Sequence, residues 1–361
     1  MNKERIMTIL ITGATGFIGK HLCLTLLQQG CQVQALTRSP ASLTQLTGFL
    51  EHHGAPMQHF SVLEGDLDKA GLGLAALPND IECLVHLAAR FAWHLPRHTA
   101  RATNVEGSLR VAELASQLGC RLVFISGFML ANTGYLSGLG INPDHSSHTN
   151  WDRVYRRTGG YEASKLESAF ALRAYATQHR LKTVEVQPAT VAGHSETGEL
   201  EAGQPLYGLL DNLAHGRLAM IPGSAGHWLP LIPVDTLARA IAAACTDDNP
   251  PDTLLVLDRT TPNLKGLLQE AATALGTTAP RRHLPMGIMK ALLSIPGLPG
   301  LLNVARESLD FIQTCRFDTS GTDLFLRLHG IEIPPFGRSL RASGQRYRLT
   351  LNPAPQAPRR N

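Results

Sequence analysis

Residues 7–12, MTILIT, form an apolar run that stops at a glycine, and beyond it Ile18, Leu22 and Leu26 recur at helical spacing. Gly30 stands where a helix C-terminal glycine belongs, and CQVQALT (31–37) begins the next strand-like run. The pattern predicts strand, glycine turn, helix, strand. Further short apolar runs follow at 59–65 (HFSVLEG), 83–88 (CLVHLA), 121–126 (RLVFIS) and 182–187 (KTVEVQ), separated by helical stretches over 101–119 and 161–180. Strands alternating with helices call for a parallel sheet covered on both faces, so the expected class is α/β with a doubly wound parallel sheet. After Pro188 the pattern loosens and Gly and Pro become frequent. The expected organisation is a cofactor-binding domain over 1–189 and a mainly substrate-binding region over 190–350, of which 228–260 returns to the first domain. A flexible tail over 351–361 follows.

Composition narrows the function classes. The 361 residues are 43% hydrophobic and 17% charged, the balance of a globular protein with a sizeable core. A net charge of +4, with no basic block longer than two arginines, asks for no polyanion, and nucleic acid is not an expected partner. The six cysteines lack C-x-x-C spacing, which suggests neither zinc nor a disulfide framework and fits a reducing cytoplasm. The run IMTILI is too short for a signal-peptide core. The other apolar stretch, 284–302 (LPMGIMKALLSIPGLPGLL), is interrupted by three prolines and Lys290, so it reads as a lid or pocket wall rather than a transmembrane segment.

Gly13, Gly16 and Gly19 in TGATGFIG sit between a predicted strand and a predicted helix. The first allows a tight turn, the second lets a pyrophosphate approach the backbone, and the third lets the helix pack on the strand, with the helix N-terminus facing the negative charge. At the end of the second strand, where an NAD-binding unit carries an acidic residue, the chain reads ALTRSP. Arg38, with Ser39 beside it, would neutralise a 2′-phosphate, which favours NADP while leaving NAD open. Asp66 and Leu67 suit hydrogen bonding and packing around an adenine. Tyr161 and Lys165 stand four residues apart, on one face of a helix. The lysine's ammonium would stabilise a phenolate and make the tyrosine an acid-base group.

Six motifs occur in order: TGATGFIG, GDL (65–67), HLAA (86–89), NVEGS (104–108), YEASK (161–165) and QPATVAG (187–193). Over residues 6–245 the chain resembles the extended short-chain dehydrogenase/reductases, the epimerase/dehydratase-like superfamily with a Rossmann-type sheet. Its nearest branches are the thioester and fatty-acyl reductases and, more loosely, the hydroxysteroid dehydrogenases. The resemblance makes Tyr161 the group that exchanges a proton with the substrate oxygen, and Lys165 its partner and a contact to the cofactor ribose. It also assigns cofactor contacts to Thr15, Phe17, Ile18, Leu87, Ala88, Ala89, Asn104, Pro188 and Val191, alongside the glycines, Arg38, Ser39, Asp66, Leu67, Tyr161 and Lys165.

One position departs from the family pattern. Aligned on RLVFISGFML, the usual catalytic hydroxyl falls on Gly127, with Ser126 one residue early and facing the other side of an extended chain. Ser126 could turn inward, Thr133 or Thr158 could substitute, or the chain could bind cofactor with little catalysis. The arginine that clamps a diphosphate in nucleotide-sugar relatives is replaced by Leu229, although Arg217 could stand in. The expected activity is therefore hydride transfer between NADP and a carbonyl, alcohol or acyl thioester of an apolar small molecule or acyl-carrier-bound substrate. The alternatives are a nucleotide-sugar-type epimerase or dehydratase and a non-catalytic NADP-binding sensor or scaffold. Phe91, Trp93, Phe128, Met129 and Trp228 are candidate substrate walls, with 131–158 as a substrate loop. Helices near 98–118 and 161–179 pair subunits in many relatives, so the resemblance allows a homodimer.

Overall fold

A computed structural model describes residues 6–38 and 40–351; Ser39 and the tail 352–361 lie outside the described residues. The main sheet is built from β1 (Thr8–Thr12), β2 (Gln32–Thr37), β3 (Phe60–Glu64), β4 (Cys83–His86), β5 (Arg121–Ile125) and β6 (Thr183–Pro188). Chain order continues with β7 (Thr190–Ala192), β8 (Ile221–Pro222), β9 (Leu231–Pro233), β10 (Thr253–Val256) and β11 (His283–Leu284). Seven strands form the sheet β10-β6-β5-β4-β1-β2-β3, and all its pairs are parallel. The order reverses between β1 and β4, where Thr12 pairs with His86, and a ligand crevice opens outside the strand ends at such a switch point. The strands at the sheet centre carry Ile, Leu, Val and Phe because both sheet faces are buried.

Six helices of the first half follow as α1 (Phe17–Gln28), α2 (Pro40–His52), α3 (Arg97–Arg101), α4 (Gly107–Leu118), α5 (Thr133–Leu139) and α6 (Trp151–His179). Between α3 and α4 the residues Ala102–Glu106 form one π-helical turn, within a stretch whose pattern predicts plain α-helix. Gly159 (φ 80°, ψ 173°) breaks α6 internally, so a first segment ends near Thr158 and Tyr161 opens the second. The 131–158 stretch, expected by the resemblance to be a substrate loop, is largely helical. It holds α5, a 3-10 turn over Pro143–His148 and the start of α6, and Leu136, Leu139, Ile141, Val154 and Tyr155 pack there with Leu166 and Phe170.

The chain divides into two compact units. The first runs to Pro188 and takes in Leu237–Val256, which supplies β10, and Phe317–Ile331. The second comprises Ala189–Thr236, Leu257–Arg316 and the chain from Glu332 onward. It contains the parallel pairs β7 with β9 and β8 with β11, around an apolar cluster that includes Leu206, Leu210, Leu267 and Leu340. Among the described residues no helix is long and apolar enough to cross a membrane, and no group of three His, Cys, Asp or Glu side chains could hold a metal.

Candidate active site

The glycine turn is shaped by contact rather than by side chains. Gly13 has φ +75°, and a Cβ there would lie 2.6 Å from the Ala88 amide nitrogen, so only glycine lets the β1 turn reach the end of β4. A Cβ on Gly19 would fall 2.1 Å from the Gly13 carbonyl oxygen, which seats α1 on the turn. At Gly16 the nearest atom would be 3.4 Å away, which leaves the backbone open where α1 begins. The turn closes through Gly16 N donating to the Gly13 carbonyl at 3.1 Å.

Over this turn lies a cavity of about 420 Å³, a size suited to a small-molecule ligand. Its lining brings together Gly13, Thr15, Gly16, Arg38, Asp66, Leu67, Leu87, Ala88 and Ala89 from four strand ends, all named by the sequence. It also includes Gly65 of the GDL motif, and Leu36, Thr37, Ser42, Asp68, Arg90 and Thr103, which the motifs did not single out. Arg90 was within reach, since it follows HLAA directly. Thr103 donates to Asp68 at 2.9 Å, and Asp68 lies 3.9 Å from the Arg90 guanidinium. Phe17 is buried under the turn, its ring edge-to-face with His21, and with Ile18 and Gly19 it is outside the cavity lining. Val191 belongs to β7 of the second unit, and Pro188 ends β6.

Beneath the cavity a chain of hydrogen bonds fixes the protonation of His86. Ser108 donates its hydroxyl hydrogen to the Asn104 carbonyl at 2.6 Å, so toward His86 Nε2 (2.8 Å) it accepts. His86 therefore carries its proton on Nε2, and Nδ1 accepts from the Thr12 hydroxyl at 2.7 Å. The Ala88 amide, in turn, donates to Thr12 Oγ1 at 3.4 Å. Burial, and after it the charge of Lys165, holds the imidazole neutral with a pKa of about 3. His86 is thus a structural strut between β1, β4 and α4. Asn104, in the π-helical turn, accepts from the Arg90 amide at 2.7 Å and donates to the Arg90 carbonyl at 3.2 Å and to Ser164 at 2.9 Å. Ser164 donates to the Tyr161 carbonyl at 2.8 Å, which links the Arg90 loop to the helix turn carrying the tyrosine.

Tyr161 is partly exposed, and the Phe91 ring meets it edge-to-face at 4.6 Å; Trp93 stands against Phe91 at 5.1 Å. Its phenol is pushed above its ordinary value by desolvation first and by the Glu162 carboxylate second, the opposite of the depression expected from Lys165. Lys165 instead donates its Nζ to the Ile125 carbonyl at 2.5 Å. Burial lowers its pKa to about 8, against the opposing pull of Glu162 and Glu185.

Ser126 corrects the first of the expected hydroxyl readings. Its Oγ donates at 2.6 Å to Glu185, a carboxylate on β6 that also accepts from Arg173 Nε at 2.7 Å and Gln187 Nε2 at 3.1 Å. The hydroxyl is committed to a buried ion-pair network. Thr158 donates back to the Val154 carbonyl of its own helix, and Thr133 is exposed at the start of α5. Gly127 is extended (φ −174°, ψ 152°), and a Cβ there would meet nothing within 4 Å. Among the substrate-wall candidates Phe128, Met129 and Trp228 are core residues. Phe128 packs edge-to-face on Phe317, and Trp228, fully buried in the second unit, donates its Nε1 to the Cys315 carbonyl at 2.8 Å. Phe91 and Trp93 remain beside the tyrosine.

The family model described as male sterility protein matches residues 11–241, from β1 past β9. The chain belongs to the male sterility protein family. Family membership places it among the extended short-chain dehydrogenase/reductases, in their fatty-acyl and thioester reductase-like branch. The male sterility protein match covers the glycine turn, Arg38, Arg90, Tyr161 and Lys165. Dihydroflavonol 4-reductase of Hordeum vulgare is 28% identical over 243 residues, covering 64% of this chain and 65% of that protein. The L-2-aminoadipate reductase large subunit of Candida glabrata is 25% identical over 273 residues, 68% of this chain but 19% of that protein. This chain therefore spans less than two thirds of either relative. The solved terminal R domain of the myxalamid PKS-NRPS biosynthetic pathway superposes with a TM-score of 0.73 at 22% identity, over 96% of this chain and 91% of that one, and shares the fold.

Proposed function

We propose that this chain is an NADP-preferring oxidoreductase. It transfers hydride between the nicotinamide and a carbonyl, alcohol or acyl thioester of a largely apolar small molecule or carrier-bound acyl group, and Tyr161 exchanges the proton. The observation that carries the reading is the cradle at the strand ends, where glycine-only contacts expose backbone at the start of α1 and Arg38 stands on the rim. This cradle fits a dinucleotide: Gly13, Thr15 and Gly16 would face the pyrophosphate, Asp66 and Leu67 the adenine, and Arg38 with Ser42 a 2′-phosphate. When bound, the cofactor supplies the hydride acceptor or donor. Tyr161, its phenol kept protonated, donates to the substrate oxygen in the reducing direction. Lys165 holds a positive charge near the end of β5, and Phe91 with Trp93 offers an apolar wall. The names of the relatives, a flavonol-type reductase and an aminoadipate reductase, and of the neighbouring R domain support a reductase. The six cysteines, scattered without C-x-x-C spacing, fit the proposed cytoplasmic setting.

The test is Tyr161→Phe, assayed with NADPH and a panel of ketones, aldehydes and acyl thioesters. Turnover is expected to fall by ~10²–10⁴ while NADPH affinity stays unchanged. Normal turnover in the variant would end the proposal.

A second reading, an NADP-binding sensor, draws on the absence of a side chain at Gly127 together with the engagement of Ser126 by Glu185. It requires NADPH binding without conversion of any panel member. A nucleotide-sugar epimerase is disfavoured by Leu229, which is buried in the apolar cluster of the second unit and cannot pair with a diphosphate.

A further inference from the structure

In the second unit a short helix, Met286–Leu292, contains no buried residue. It continues through a tight turn in which Ile295 N donates to the Leu292 carbonyl at 3.0 Å. Ile288 and Leu292, 51% and 37% exposed, stand four residues apart on one face of the helix, and Ile295, 51% exposed, follows in the turn beyond it. Leu293, 3% exposed, anchors the segment to the protein beneath. The single charge inside 284–302, Lys290, is tied to Asp310 at 2.6 Å, so the stretch carries no unpaired charge of its own. Its flanks are cationic: Arg281 and Arg282 precede β11 and Arg306 follows, all exposed, and no acidic residue occurs from 281 to 306. Glu307 is the first carboxylate beyond.

We propose that the apolar surface presented by Ile288, Leu292 and Ile295, with the exposed Arg281, Arg282 and Arg306 flanking it along the chain, is a docking surface for an anionic lipid bilayer. The apolar stripe enters the boundary between headgroups and acyl chains while the arginines pair with lipid phosphates. An apolar stripe flanked by arginines, with the neighbouring Asp310 carboxylate neutralised by Lys290, is complementary to that surface, and affinity for it is the sum of buried apolar area and charge attraction. This surface is independent of the reading given for the first unit's cavity, so either can fail alone.

The experiment is cosedimentation of the whole chain with vesicles of phosphatidylcholine, with or without about 30% phosphatidylglycerol. The expected result is at least a ~10-fold higher bound fraction on the anionic vesicles, falling in high salt. Ile288→Asp with Leu292→Asp should lower binding ~10-fold or more, and Arg281→Ala with Arg282→Ala should lower it on anionic vesicles only. Because these side chains are exposed, the melting temperature of each variant should match that of the parent. The proposal is overturned by absence of binding to either vesicle, by undiminished binding of the Ile288/Leu292 variant, or by retention of an acidic acyl-carrier protein on this face in place of vesicles.

Discussion

Ser126 and Gly127 show how one residue's hydrogen bond redirects a site. Glu185 is buried on β6 and needs donors, which Arg173, Gln187 and Ser126 supply. Ser126→Ala should therefore cost about 1–3 kcal/mol of stability in denaturant unfolding and leave turnover nearly unchanged. Gly127 faces open space in an extended backbone that any residue adopts, so Gly127→Ser should fold normally. If a developing oxyanion lacks a donor there, the new hydroxyl should raise kcat by ~10–10² in steady-state assays. An unchanged kcat for Gly127→Ser combined with a collapse for Ser126→Ala would return the role to Ser126. Lys165 sets the pH response. Its folded-state pKa is lowered to about 8, so its ammonium prevails below that pH and is lost above it, while the raised phenol of Tyr161 stays protonated throughout. The kcat/KM for carbonyl reduction, which reports groups of the free enzyme, should be level up to neutrality and fall as pH rises through about 8. A profile level to pH ~10 would show that the Lys165 charge is not needed.

The π-helical turn Ala102–Glu106 is the element that joins the cofactor cavity to the tyrosine helix. Such turns occur mostly as single insertions inside α-helices, often at functional sites, and here the turn carries Asn104 with all three of its side-chain bonds directed away from its own helix. Asn104→Ala would leave the Arg90 amide and carbonyl short of partners, at roughly 1–3 kcal/mol for each group left unsatisfied. Because Arg90 lines the cavity, NADPH affinity should fall in the same variant when measured by calorimetry. A loss of stability with unchanged affinity would confine the turn to a structural role. Strands β1, β4 and β5 could be read from the sequence because each is an apolar run buried on both faces, and the glycine turn because its spacing is local. Asn104, Ser126 and the 131–158 stretch resisted for the opposite reason. Asn104 and Ser126 find partners about 60 residues away along the chain, Ser164 at |i−j| 60 and Glu185 at 59. The helices over 131–158 are held by contacts to Leu166, Ala169 and Phe170, not by their own Gly- and Ser-rich composition. The same limit separated Phe91, which meets Tyr161, from Trp228, which is sealed in a core: both are aromatic, and only packing tells them apart.

At the scale of the molecule, the first unit is assembled from three separate stretches of chain, and its sheet is completed at one edge by β10, which pairs with β6 far from it in sequence. The cavity is made by the ends of β1, β2, β3 and β4 together, so it exists only when this unit is folded. A ligand that binds the folded form alone adds RT ln(1 + [L]/Kd), about 2.7 kcal/mol at a hundredfold excess over Kd. For a domain of this size that corresponds to a rise of roughly 5–10 °C in melting temperature. NADPH should produce such a rise, and NADH at equal concentration a smaller one, because only the former brings a 2′-phosphate to Arg38. Arg38 stands on the cavity wall beside Thr37 and Ser42. Arg38→Ala should therefore remove most of the difference between the two cofactors while sparing the NADH shift. A larger rise with NADH in the parent chain would reverse the proposed preference, and an unaltered NADPH shift in the Arg38→Ala variant would transfer the 2′-phosphate to Arg90, the other guanidinium on the cavity wall.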